Sequence, residues 1–361
     1  MQRALATDAK LSIDPTGVQP ALRGGVVGKQ ADSGESSHKR ETTGKLAPQS
    51  PGEEMPQTQT TPPTNPARDT HVYKVVDGRE LEADVNGACP GASKPCVVWI
   101  HGGGLIFGWR KTSPRMPLLR ALLERDFVIV SIDHRLAPET KLPGIVDDVR
   151  DAWRWVRDVG PRRFGIDPAR MAMAGGSAGA YLSLLAGYLF EPRPRALASF
   201  WGYGDITAPW EAEPSAHYRQ MELVTREEAD ASLSAPPVQD PAVGVDRSCF
   251  YLYCRQQGKW LEEVTAHDPR EDNAWFDRYC PIRNVSPEFP PTILVHGEVD
   301  TDVPYAESAR LAARLAEAGV RHRFISLAGV GHGFAGARPE EAEATEVVVA
   351  EFLRAQLAQE H

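Results

Sequence analysis

Short apolar runs rich in β-branched residues recur along the chain and alternate with segments of helical periodicity. The runs are Cys96–Ile100, Phe127–Ile132, Met171–Ala174, Leu197–Phe200, Thr292–His296 and Arg323–Leu327. The helical segments are Pro117–Leu123, Gly144–Val159, Ala178–Leu189, Tyr305–Ala318 and Glu340–Leu357. Continuous apolar runs are typical of central strands that are buried on both faces. Their alternation with helices predicts an α/β fold, in which helices cover both faces of a mostly parallel sheet.

A hairpin precedes the first of these runs. His71–Val76 and Arg79–Val85 have strand-like composition and flank Asp77-Gly78, a dipeptide that favours a tight turn between antiparallel strands. The pattern therefore predicts that the folded domain begins near His71 and occupies residues 71–361.

Residues 1–70 differ from the rest because they contain no Phe, Trp, Tyr or Cys and are rich in Pro, Gly, Ser, Thr and Gln. Such a segment cannot bury enough apolar surface to offset the entropy lost on ordering, so we expect a disordered tail. The tail is either functional or an over-extended gene start, and it carries no pattern typical of a targeting signal.

A second departure from the alternation lies between residues 204 and 291, where Pro, Trp and charged clusters surround only short helical patterns. Long insertions of this kind are often lids or binding regions, and the alternative is a surface decoration. The aromatic residues of the insertion either line a substrate pocket or form its own core; they are Trp210, Phe250, Tyr251, Tyr253, Trp260, Trp275, Phe276 and Tyr279.

Charge and composition limit the kinds of partner that we expect the protein to bind. The net charge of −9 argues against a nucleic-acid surface and against docking on anionic lipid. No apolar run is long enough to span a bilayer and no secretory signal is evident, so we expect a cytoplasmic protein without stable membrane insertion. The five cysteines contain no CxxC pair, which favours thiols; a Cys89–Cys96 or Cys249–Cys254 bridge stays open for an exported protein. The sequence pattern does not indicate whether the protein is a monomer or an oligomer.

The strongest chemical signal is Gly175-Gly176-Ser177-Ala178-Gly179, which follows a predicted strand and opens a predicted helix. In this setting the sequence is typical of a nucleophile elbow, where only small residues fit beside an exposed serine. The alternative is a glycine-rich helix start with Ser177 as its N-cap.

A second glycine motif lowers the weight of that alternative. His101-Gly102-Gly103-Gly104 follows the strand that ends at Ile100 and matches the oxyanion loop of esterases. The N–H groups of Gly103, Gly104 and Ala178 would then hold the oxyanion of a tetrahedral intermediate. We expect His101 to have a structural role.

The base and the acid are predicted from chain order and position. His332 lies in a glycine-flanked loop after all the strands, downstream of the serine, as the order Ser, Asp/Glu, His requires. Asp300 follows the strand that ends at His296 and would orient the imidazole. Asp302 and Glu298 are the alternative acids.

With these residues in place, the chain resembles the hormone-sensitive-lipase-like branch of the α/β-hydrolase superfamily over residues 71–361. The matching motifs are His101–Gly108, Asp133–Glu139 and Gly175–Gly179. The middle motif carries His134 where the family usually has tyrosine and resembles a loop that braces the site. The segment His296-Gly297-x-x-Asp300-x-x-Val303-Pro304 looks more like feruloyl-esterase and prolyl-oligopeptidase-type hydrolases, and both resemblances place the acid at Asp300.

The resemblance implies an α/β-hydrolase fold and a serine carboxylesterase that acts on a small-molecule ester, with short acyl chains favoured and no cofactor or metal. Two other functions stay open. One is a peptidase or amidase on the same scaffold, although peptidases of this type usually carry an additional propeller domain. The other is a receptor built on an inactive hydrolase, which typically lacks one member of the catalytic triad.

Overall fold

The computed structural model of the chain describes residues 69–112, 116–234 and 247–358. Residues 1–68 of the predicted tail lie outside this part of the chain. Eight strands form one sheet in the order β1-β2-β4-β3-β5-β6-β7-β8. The strands are β1 (Asp69–Val76), β2 (Arg79–Asn86), β3 (Lys94–Ile100), β4 (Val128–Ile132), β5 (Ile166–Gly176), β6 (Leu197–Phe200), β7 (Thr292–Gly297) and β8 (His322–Leu327).

The direction of the strands follows the connections between them. The short turn at Asp77-Gly78 makes β1 and β2 antiparallel, and β2 pairs antiparallel with β4. From β4 onward in the strand order, every neighbouring pair is parallel, because each crossover returns the chain to the end of the sheet at which the previous strand began. The predicted α/β architecture with a mostly parallel sheet is confirmed.

Ten α-helices lie within the described residues. They are α1 (Met116–Leu123), α2 (Leu142–Phe164), α3 (Ala178–Leu189), α4 (Pro209–Ala212), α5 (Arg226–Ser232), α6 (Ser248–Gln257), α7 (Trp260–Thr265), α8 (Asn273–Arg278), α9 (Ala306–Glu317) and α10 (Pro339–Gln356). Apolar residues form one cluster on each face of the sheet, and β3 contributes to both: Val98 and Ile100 to one, Val97 and Trp99 to the other. A strand can do this because successive side chains point to opposite faces.

Helices α4 to α8 lie between β6 and β7, within the predicted insertion of residues 204–291. Residues 235–246 of this segment lie outside the described part of the chain. Phe250, Trp260 and Phe276 are completely or almost completely buried, which agrees with the hypothesis that these aromatics form a core. The use of the insertion as a lid stays a prediction.

Two further sequence expectations concern membranes and thiols. None of the helices in the described ranges combines the length and apolar character that crossing a bilayer requires. All five cysteines lie in the described residues, and no disulfide bond joins any of them.

A buried arginine ties the loop after β3 to the strands on its far side. Arg110 Nε donates to Asp84 Oδ1 at 2.9 Å, and its Nη1 donates to Asp133 Oδ2 at 2.7 Å. The Arg110 amide donates to the other oxygen of Asp133 at 2.8 Å, and Ser131 Oγ donates to the Arg110 carbonyl at 2.7 Å. Three of these partners come from β2 or the end of β4, so the loop that carries Gly102–Gly104 is anchored beyond the glycines.

We expect Arg110→Met to lower the free energy of unfolding by about 3–5 kcal/mol, because it leaves the buried carboxylates of Asp84 and Asp133 without a cation. Arg354→Met is the control, since Arg354 is exposed and pairs with Glu351 at the surface, so its loss should cost far less. Urea unfolding followed by tryptophan fluorescence measures both. Equal losses in the two variants would show that the Arg110 network does not stabilise the fold.

Candidate active site

Ser177 lies in a tight turn between β5 and α3. Its φ of 54° and ψ of −122° are strained for a residue with a side chain, and such strain is concentrated at functional sites. A Cβ atom on Gly179 would lie 2.2 Å from the Ile100 carbonyl oxygen, so the helix can approach β3 only with glycine here. The Ser177 amide donates to the Phe200 carbonyl at 2.8 Å, and the side chain reaches a cavity.

The loop after β3 faces Ser177 across this cavity. Gly104 has a φ of 57°, and a Cβ atom there would lie 2.4 Å from the Tyr251 ring. Trp260 Nε1 donates to the Gly104 carbonyl at 2.7 Å, which fixes the peptide from the side of the insertion. Among the described residues, no backbone acceptor takes a hydrogen bond from the Gly103 or Gly104 amide. Ala178, the third predicted donor, is the first residue of α3.

His101 and His134 form a buried pair behind the glycine loop. Their rings stack with centroids 4.3 Å apart, and His101 Nδ1 lies 2.7 Å from the Gly102 carbonyl oxygen. Burial lowers the pKa of His101 to about 4. Burial, together with the charge that His101 can carry, lowers the pKa of His134 to about 3. Both rings are therefore neutral at pH 7, which agrees with the expected structural role of His101.

Asp300 and His332 are brought together at the carboxyl end of β7. His332 Nδ1 donates to Asp300 Oδ2 at 2.8 Å. The same oxygen lies 3.2 Å from Nε2 of the fully buried His296, while Asp300 Oδ1 accepts from the amides of Asp302 and Val303 at 2.8 and 2.9 Å. The carboxylate is thus held by groups from its own loop, the strand before it and the base.

The charges of this pair follow from those contacts. Burial alone would raise the pKa of Asp300, but the hydrogen bonds from His296 and His332 outweigh it and hold the pKa well below its ordinary value. Burial alone would lower the pKa of His332, but the Asp300 hydrogen bond and the charge of Asp302 outweigh it and raise the pKa above 6.5. Asp300 is therefore the ionised member that favours proton uptake by His332.

The cavity at Ser177 has a volume of about 340 Å³. Four of the residues predicted for the chemistry of the site line it directly: Ser177, Gly103, Gly104 and His332. Among the described residues, no hydrogen bond joins Ser177 Oγ to His332 Nε2. Such contacts are often long before substrate binds.

The other lining residues were not among the predicted catalytic or oxyanion-holding residues, although Asp302 was an alternative acid and Tyr251 was one of the aromatics that could line a pocket. They are Trp99, Gly102, Phe107, Gly176, Phe200, Trp201, Tyr251, Asp302, Gly333 and Glu346. Trp201 packs edge-on against His332 with ring centroids 6.0 Å apart. It directly follows β6, so the topological rule that sites form at the carboxyl ends of parallel strands could have identified it.

Asp302 is the most polar of these additions. Its Oδ2 lies 3.5 Å from His332 Nε2, and its Oδ1 accepts from Tyr251 Oη at 2.6 Å and from Arg255 Nη1 at 2.7 Å. The buried Arg255 guanidinium also lies over the rings of Trp210 and Tyr218, 5.0 and 5.2 Å from their centroids. Asp302 was an alternative acid, and the structure places it at the other nitrogen of the imidazole from Asp300. No local sequence signal links it to α6, 47 residues earlier.

Residues 97–336 match the family model described as alpha/beta hydrolase fold, which is well over half of the chain. The chain belongs to the α/β-hydrolase fold family. The superfamily resemblance seen in the motifs is therefore confirmed, and membership of this family supports hydrolase activity.

Solved structures and curated proteins extend this comparison. A protein of unknown function from Staphylococcus aureus Mu50 is 25% identical, with a TM-score of 0.66, and the match covers 80% of this chain and 100% of that one. The carboxylesterase EstE1 from a metagenomic library is 24% identical with a TM-score of 0.58, over 81% of this chain and 90% of that one, and shares the fold. The non-reducing polyketide synthase Preu6 of Preussia isomera is 28% identical over 73% of this chain. The match spans only 13% of the length of the synthase.

In this α/β-hydrolase, Gly104→Ala tests whether the glycine loop holds the reacting group. The added methyl group would meet the Tyr251 ring and strain the backbone, so we expect kcat for ester hydrolysis to fall by about 10²–10³-fold, the usual loss for a displaced oxyanion donor. Gly319→Ala is the control, because Gly319 also has a positive φ, of 70°, but has open space around its Cβ position. A loss of kcat in Gly319→Ala as large as in Gly104→Ala would contradict the assignment.

Proposed function

We propose that the protein is a serine carboxylesterase that hydrolyses small esters with short acyl chains through an acyl-enzyme on Ser177. The observation that carries the proposal is the arrangement around one cavity: Ser177 and the two loop glycines line it with His332, and His332 Nδ1 donates to Asp300 at 2.8 Å. A nucleophile, a base, an orienting carboxylate and amide donors are the groups that acyl transfer requires.

The reaction follows from these positions. Ser177 Oγ attacks the ester carbonyl carbon while His332 Nε2 takes its proton. The carbonyl oxygen becomes an oxyanion that accepts hydrogen bonds from the amides of Gly103, Gly104 and Ala178, each worth about 3 kcal/mol in such sites. The imidazolium then gives its proton to the leaving alcohol as the C–O bond breaks. Water, deprotonated by His332, attacks the acyl-enzyme and releases the acid, and Ser177 recovers its proton.

The size and lining of the cavity support a small substrate. About 340 Å³ is near the lower end of the range for ligand pockets, ~300–1,000 Å³. Phe107, Phe200 and Trp201 supply apolar walls suited to a short acyl chain. An acyl thioester is a second substrate class to test, because the same steps would cleave its C–S bond.

Ser177→Ala should abolish hydrolysis of p-nitrophenyl butyrate and labelling by a fluorophosphonate probe, because no other group replaces the attacking oxygen. Ser93→Ala is the matched control, since Ser93 is exposed before the amino end of β3, whereas Ser177 lies beyond the carboxyl end of β5. Near-normal turnover by Ser177→Ala would refute the assignment. Running butyryl anilide and butyryl thioester substrates beside the oxygen ester separates amidase, thioesterase and esterase activities.

The pH dependence of kcat/KM tests the base. Activity requires neutral His332, whose pKa is raised, so kcat/KM should rise with pH and inflect above 6.5. Asp300→Asn removes the hydrogen-bonding charge, which should lower kcat by about 10³–10⁴-fold and move the inflection to lower pH. Glu298→Gln, an exposed acid in the same loop, should leave the profile unchanged. An unmoved inflection in Asp300→Asn would exclude Asp300 as the partner of the base.

A further inference from the structure

We propose that Asp302 makes this site selective for esters whose alcohol carries a second hydroxyl on the carbon next to the ester-bearing carbon. The inference rests on the proposed function, because it concerns the leaving group of that reaction. It starts from Asp302, which lines the cavity and whose Oδ2 lies 3.5 Å from His332 Nε2. This nitrogen is the atom that protonates the leaving alcohol, so Asp302 lies on the alcohol side of the site.

The carboxylate is held rigidly by the insertion. Its Oδ1 accepts from Tyr251 Oη and Arg255 Nη1, and the Asp302 carbonyl accepts from Arg255 Nη2 at 3.0 Å. Arg255 Nη1 also donates to Tyr251 Oη at 2.8 Å, which closes a ring of contacts. Oδ2 is therefore held beside His332 Nε2, and we infer that it offers an acceptor there in a preorganised position.

The charge around Asp302 favours a neutral donor. The guanidinium of Arg255 compensates the carboxylate and would repel a second cation. Burial raises the pKa of Glu211, another carboxyl that interacts with Arg255, well above its ordinary range, which favours the uncharged form of that carboxyl. What Oδ2 offers is hydrogen-bond acceptance without net attraction for an ammonium group, and a hydroxyl suits it better than a positively charged amine.

The spacing selects a vicinal hydroxyl. A leaving oxygen bound to His332 Nε2 lies within about 3 Å of it. In a gauche O–C–C–O unit the second oxygen lies about 3 Å from the first, which matches the separation of Nε2 and Oδ2. One small diol unit can therefore span both atoms, with its ester oxygen toward His332 and its free hydroxyl donating to Asp302.

The experiment compares four butyrate esters that share one acyl group: 2-hydroxyethyl, 2-methoxyethyl, propyl and choline esters. Each kcat/KM is divided by the rate of alkaline hydrolysis of that ester, which removes differences in intrinsic reactivity. We expect the 2-hydroxyethyl ester to exceed the propyl and 2-methoxyethyl esters by about tenfold, the usual value of a hydrogen bond to a charged group. The methoxy ester keeps the oxygen but has no hydrogen to donate.

Asp302→Asn should bring this ratio to near one, because the amide that replaces Oδ2 donates and no longer accepts. Glu346→Gln is the matched control: Glu346 also lines the cavity, and its variant should keep the ratio whatever its absolute rate. A ratio, unlike a rate, is unaffected by a loss of folded protein. If Asp302→Asn does not fold, the methoxy comparison in the unaltered protein still decides.

Equal normalised rates for the 2-hydroxyethyl and propyl esters would overturn the inference and leave the esterase proposal standing. A preference for butyrylcholine would also overturn it, since it would show that the site attracts a cation. Hydrolysis of none of the four esters would overturn both proposals together.

Discussion

The site depends on how closely α3 approaches β3. The backbone at Gly179 packs so tightly against the Ile100 carbonyl that no Cβ atom fits, and the turn before it forces Ser177 into a left-handed conformation. Its amide is bound in turn to the end of β6. The carboxyl ends of three neighbouring strands, β3, β5 and β6, are thereby held together, which fixes where the loops that follow them begin.

The loop that carries Asp300 is held in place by hydrogen bonds and not by close backbone packing. Asp300 is positioned by hydrogen bonds that occupy both carboxylate oxygens, two of them from backbone amides of its own loop. His296, buried in β7, contacts it from the strand side and is itself 2.7 Å from Ser308 Oγ on α9. His332 thus rests on the core of the sheet through a chain of polar contacts.

Much of this was accessible from the sequence because it is local. Apolar runs, the Asp77-Gly78 turn and the strand–glycine–helix pattern each report on a few consecutive residues, and these predicted the strands, the fold and the positions of Ser177, Asp300 and His332. The contacts of Asp302 with Tyr251 and Arg255 depend on how the insertion folds back over the sheet. Trp260 reaches Gly104 across 156 residues. No periodicity encodes such pairings, so the aromatics of the insertion could be recognised as core or pocket residues only in three dimensions.

The stacked imidazoles of His101 and His134 have a consequence for the whole molecule. In the unfolded chain a histidine takes up a proton near pH 6.5, whereas in the folded protein these two resist it down to about 4 and 3. As the pH falls below 6.5, the unfolded state therefore binds protons at these two histidines and the native state does not. The free energy of unfolding decreases as a result, with both adjacent groups contributing. Acid therefore has two effects on this protein: it protonates His332, the proposed base, and it destabilises the fold at the histidine pair beside the glycine loop.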